Sequence, residues 1–137
     1  MSNATNTLEE LIGDHLLRTA TWSKPSDIYV GLFTTMPDDA GAGGVEVTSG
    51  SYARVKCGPS DAAWTGPAGG NGVYSNTAIV QFAAPTGNWG AILGFGLFSA
   101  ITAGTLYVSK AFTASVTISN GDPAPGFAIG ALTVTIA

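Results

Sequence analysis

Apolar residues near the start of the chain recur at helical spacing, with Leu8, Leu11, Ile12 and Leu16 on one stripe. Thr7-Leu8-Glu9-Glu10 has the form of a capping box. In that motif a threonine hydroxyl and the glutamate three residues on satisfy the free amides of a first helical turn. The pattern predicts an amphipathic helix running to about Arg18, packed on the body of the domain or on a neighbouring subunit. His15 borders the stripe and reads as a surface or packing histidine, because no second ligand or nucleophile is near it in sequence.

Beyond Pro25 the period shortens to that of strands. Residues 28–34 are rich in β-branched and aromatic types and run into a flexible loop at 37–44. Strands are predicted at 45–47 and 51–57. In the second, Tyr52, Arg54 and Lys56 alternate with Ala53, Val55 and Cys57, which implies a half-exposed strand with its long polar side chains on one face. A Gly/Pro/Asn-rich connection at 58–72 holds Trp64, an anchoring aromatic or an exposed tip. Further strands are predicted at 77–82, 92–98, 106–109, 113–119 and 131–136. Within 92–98, Leu93, Phe95 and Leu97 share one face and Gly94 and Gly96 the other, a sign of a bend or of close approach by another element. Gly31-Leu32-Phe33-Thr34 is echoed by Gly96-Leu97-Phe98-Ser99. Either this is coincidence in a Gly-rich chain, or the two strands occupy equivalent places in the halves of a sandwich. About eight short strands after one helix predict an all-β fold, an antiparallel β-sandwich of jelly-roll-like or Ig-like type. Residues 1–24 would form the helix and arm, and 25–137 the sandwich of a single domain.

Charge changes the picture most. Only 14 of 137 residues are charged, with a net charge of −4, and 12 of those 14 lie in residues 1–61. From Ala62 to Ser109 there is none. Two explanations compete: a neutral β domain coated with Thr and Ser, or a surface that faces other protein copies, where an unpaired buried charge is costly. Five scattered basic residues cannot neutralise a nucleic-acid backbone, so no nucleic-acid partner is expected. The uncharged stretch 89–108 is interrupted by Gly90, Gly94, Gly96 and Gly104, which disfavours a membrane span. The acidic first twenty residues lack the basic start of a secretory leader, and no lipidation motif is expected.

The residues offer little chemistry. One cysteine and one histidine cannot make an internal disulfide or the usual zinc sites. Cys57 and His15 are the only nucleophile and base by type, and they lie in different elements. Glu9/Glu10 suit a helix cap and Asp38/Asp39 a turn; spaced calcium-loop carboxylates and a phosphate loop are both missing. The chain is expected to be no enzyme and to need no cofactor or metal.

At residues 26–35, the Asp38-Asp39-Ala40-Gly41 loop, Val45-Glu46-Val47 and above all Gly50-Ser51-Tyr52-Ala53-Arg54, the chain resembles a family of small bacteriophage virion proteins. These are labelled minor tail, tail-fibre or head-decoration proteins. The resemblance continues through Ser75-Asn76-Thr77-Ala78, Asn88-Trp89-Gly90, residues 94–98 and Leu132-Thr133-Val134-Thr135. It implies a structural β protein of the virion, assembled in the host cytoplasm, with no catalytic residues to carry over. The small size and the charge-poor half favour a capsid decoration or cement protein, a homotrimer bridging the major capsid protein. The alternative is a minor tail or tail-fibre component contacting other tail proteins, with host glycan bound by Trp64, Trp89 and Tyr74. Interface candidates are Leu8, Leu11, Leu16 and Trp22 as an anchoring arm, Asp38 and Asp39 in one loop, Trp64 in the 62–72 loop, Trp89, and Tyr52 with Arg54 as an aromatic–cation surface.

Overall fold

The computed structural model describes residues 2–136. Helix α1 spans Asn6–Leu17. Ten strands follow among the described residues: β1 (Tyr29–Thr35), β2 (Val45–Glu46), β3 (Val55–Lys56), β4 (Trp64–Thr65), β5 (Val73–Asn76), β6 (Val80–Gln81), β7 (Gly90–Phe98), β8 (Leu106–Ile118), β9 (Gly126–Phe127) and β10 (Thr133–Thr135). The fold is an all-β sandwich with one N-terminal helix. Its main layer has the order β2-β1-β7-β8, with β3 sharing the outer edge of β1. A β10-β5-β4 sheet and a β6-β9 pair lie against this layer, and all pairings are antiparallel. Val30, Ile92 and Leu132, each almost wholly buried, come from both layers and join one hydrophobic core.

The helix begins one half-turn before the expected box. Thr5, not Thr7, is the N-cap: its hydroxyl oxygen accepts the Leu8 amide, while the hydroxyl donates to a carbonyl of Leu106 or Tyr107. A tertiary tie to β8 therefore decides between two threonines that local sequence ranks the other way. The apolar stripe is only partly used. Leu8 is buried and Leu11 half-buried, but Ile12 and Leu16 run out into solvent. At the far end the Trp22 amide donates to His15 Nδ1 (3.1 Å), which folds the arm back so that Trp22 meets Tyr107 edge-on.

Several strands depart from expectation for identifiable reasons. The echoed segments are not equivalent strands of opposite layers; they are adjacent in one sheet, with Gly31 directly opposite Gly96. Residues 51–54 are not strand, because Tyr52 and Arg54 turn inward to bond with Glu46. Of the strand expected at 77–82 only Val80–Gln81 pairs; Val73–Asn76 just before it forms a strand that was not expected, and the Asn76 side chain occupies the corner between the two. The two strands expected at 106–119 are one, β8, bulged where Phe112 to Ser115 stand against the single residue Leu93 of β7. That bulge also breaks the alternation of β7. Ile92, Phe95 and Leu97 point inward and Leu93 is turned out.

Candidate functional site

The paired glycines Gly31 and Gly96 leave a bare patch on the main sheet, and a largely buried ionic cluster lies on it. A Cβ on Gly31 would sit 2.8 Å from both Glu46 Oε2 and the Phe98 ring, and one on Gly96 would sit 2.6 Å from the Phe33 ring. Only residues without side chains admit this cluster. Glu46 comes from β2, Phe98 from the end of β7, and Tyr52 and Arg54 from the segment leading into β3. Arg54 grips Glu46 through two parallel bonds, Nη2 to Oε1 at 2.7 Å and Nε to Oε2 at 2.8 Å, and its guanidinium lies 3.5 Å from the centre of the Phe98 ring. Tyr52 donates to Glu46 Oε2 at 2.6 Å and accepts the Leu32 amide at 2.8 Å. Burial first, and the Glu46 carboxylate second, push the Tyr52 phenol far above its ordinary range. Every acceptor of Glu46 is engaged from within the chain, so the cluster is built to hold shape.

What it holds is a loop. The remaining Arg54 nitrogen, Nη1, donates to the carbonyls of Ala100 and Ala103, both at 2.7 Å. Ser99 closes the same turn with Thr105 through backbone and side chain. The connection between β7 and β8 is thus fixed from below, and it presents Ile101 to solvent.

The runs that carry the family resemblance resolve into three such hubs. Tyr52 and Arg54 form the first. In the second, buried Asn76 donates to Ala78 and Ala128 carbonyls and accepts the Leu132 amide, so one side chain stitches β5 to the segment before β10. In the third, Trp89 Nε1 donates to the Gly50 carbonyl, with its ring edge-on to Tyr52 at 5.3 Å. Asn88 accepts the Asn120 amide beside it.

These positions correct three interface assignments. Tyr52 and Arg54 do not form an exposed aromatic–cation surface, since Arg54 is about 9% exposed and both serve the cluster. Trp89 is likewise spent in the core, so the sugar platform of Trp64, Trp89 and Tyr74 is not presented together. Leu8 is interior, anchoring the helix to its own domain. Asp38 and Asp39 are exposed; Asp38 closes its own turn by accepting the Ala42 amide, and the Asp39 carbonyl accepts the Asn6 amide at the start of α1. Cys57 is buried beneath Trp64, which donates to its carbonyl, and burial raises its thiol pKa. His15 lies on the exposed last turn of α1, bonded to Trp22.

Two apolar grooves open at the surface. One, of about 310 Å³, is lined chiefly by Phe112, Val116 and Ile118 of β8 with Pro125 and Phe127. The other, of about 240 Å³, lies between the helix and the sandwich and is walled by Leu8, Trp22, Trp64, Tyr74 and Tyr107, with Lys24 on its rim. The half-buried Trp22 and Trp64 therefore line the same groove. Composition missed the exposed apolar residues Leu17, Ile79, Ile101 and Ile129. For Leu17 the signal was its place off the helical stripe. Among the described residues no group of three His, Cys, Asp or Glu could hold a metal, and no helix is long and apolar enough to cross a membrane.

The molecule is thus an all-β sandwich knit by buried polar hubs, with two apolar grooves and several apolar side chains displayed at its surface. A family model described as podophage GP4 fiber I protein gp80 matches residues 3–135, and the chain belongs to that family. It is a small bacteriophage virion structural protein of the tail-fibre type. No curated protein matches the chain.

Proposed function

We propose that the chain is a non-catalytic subunit of a tail fibre, acting as a homotrimer that joins other tail proteins through its charge-poor half. The match to a fibre family along residues 3–135 carries this reading. It favours the tail over the head-decoration role that size and charge pattern suggested. The geometry agrees with a mechanical task. The Glu46–Arg54–Tyr52 cluster and the Asn76 hub stiffen the sandwich from inside. Outside, Ile79, Ile101, Val116 and Ile129 stand exposed with few charges near them in sequence. Such residues lower the cost of burial at a permanent interface, whose core is apolar and depleted in charge.

Phage made without this protein test the reading. Particles are expected to package DNA and to keep heads of normal thermal resistance while losing tail-fibre density and adsorption. Heads that leak at lower temperature, with tails intact, would restore the cement role.

A further inference from the structure

Helix α1 carries its apolar stripe further than its own domain covers it. Leu8 is seated, whereas Ile12 is 40% and Leu16 76% exposed. Beside it lies a groove of the complementary kind. Its walls are Leu8, Trp22, Trp64, Tyr74 and Tyr107, and its volume of about 240 Å³ exceeds the roughly 150 Å³ cavity that holds a benzene ring. There is room for the side chains of one helical turn. Lys24 stands on the rim and enters no ion pair among the described residues. On the helix, Glu9 follows the stripe at about 20° from Leu16, counting about 100° per residue, and it too enters no ion pair there. One chain therefore displays an acidic-flanked apolar ridge and an apolar slot with a cation at its lip.

We propose that the Ile12–Leu16 ridge of one copy docks in the Trp22–Trp64–Tyr74 groove of a second copy, with Glu9 of the first meeting Lys24 of the second. The inference rests on the self-association in the fibre reading and names its surface. Ridge and slot are different patches, so the contact is head-to-tail and generates a closed ring when the rotation closes. Covering Leu16 would also remove the largest exposed part of the stripe from water, worth a factor of about ten in affinity or more.

Sedimentation equilibrium of the full chain tests this. Wild type is expected to self-associate, and Leu16→Glu to weaken association at least about tenfold while far-UV circular dichroism stays unchanged. Glu9→Lys and Lys24→Glu, each creating a like-charge contact, are expected to weaken it about threefold, and the double variant Glu9→Lys/Lys24→Glu to recover it. A monomeric wild type at high concentration overturns the inference, as does an oligomer indifferent to Leu16→Glu or one the double reversal fails to rescue. A tail location of the protein in virions would leave the fibre reading standing through any of these failures.

Discussion

Arg54 illustrates how much one side chain can organise. It neutralises Glu46, covers Phe98 and holds the 99–104 loop by two carbonyls. Arg54→Met leaves a largely buried carboxylate without its partner. A loss of about 3 kcal/mol in unfolding free energy is expected, at the lower end for a broken buried pair because Glu46 keeps some exposure. Urea denaturation measures it, and hydrogen exchange should show the 99–104 amides losing protection together. Gly94 is the second sensitive position. A methyl there would run into the Lys110 carbonyl and approach the Ala111 Cα at 2.9 Å, both backbone, so Gly94→Ala must push β8 away from β7. About 1–3 kcal/mol of destabilisation is expected, read from the shift in denaturation midpoint. The residue scale also sets the alkaline limit. Tyr52 and Cys57 hold their protons more tightly folded than unfolded, whereas the unfolded groups ionise near 10.0 and 9.0. Their stabilisation is complete below about pH 9 and is lost as pH rises past those unfolded values. The Lys56–Asp27 pair, on the surface, tends the same way. The denaturation midpoint should therefore fall from pH 9 to 11, and Tyr52→Phe should flatten the part above pH 10.

At the scale of elements, α1 hangs from the sandwich by its first turn. Thr5→Ala removes both the cap and the bond to β8, for an expected cost of about 1 kcal/mol and a loss of helical signal at 222 nm in circular dichroism. The helix, β1 and β10 were legible in sequence because each follows its own period: a 3.6-residue stripe, a β-branched run, a closing alternation. The Thr5 cap was not, because the carbonyl that selects it lies about a hundred residues away on β8. The bulge of β8 was equally hidden. Nothing in Phe112-Thr113-Ala114-Ser115 announces that four residues will oppose one, and the inversion of Leu93 follows from that mismatch. Gly94 and Gly96 did announce close approach. What approaches was decided by Gly31 across the sheet, a pairing that only topology supplies. The Gly-Ser-Tyr-Ala-Arg run misled for a related reason: a long polar side chain at strand spacing points outward by default, unless a buried carboxylate waits for it, as Glu46 does.

For the whole molecule, the division of charge has a structural counterpart. Buried polar side chains such as Arg54 and Asn76 find their partners within the chain, and the surface offers apolar grooves and isolated aliphatic side chains, with most of its charge on residues 1–61. On the fibre reading proposed above, that surface is the part of the molecule that would face protein neighbours, and membership of a fibre family is what supports the reading. Location on the particle is the most direct check. Antibody-labelled virions viewed by electron microscopy should carry label at the tail and none over the head. Label distributed over the capsid lattice would contradict the account.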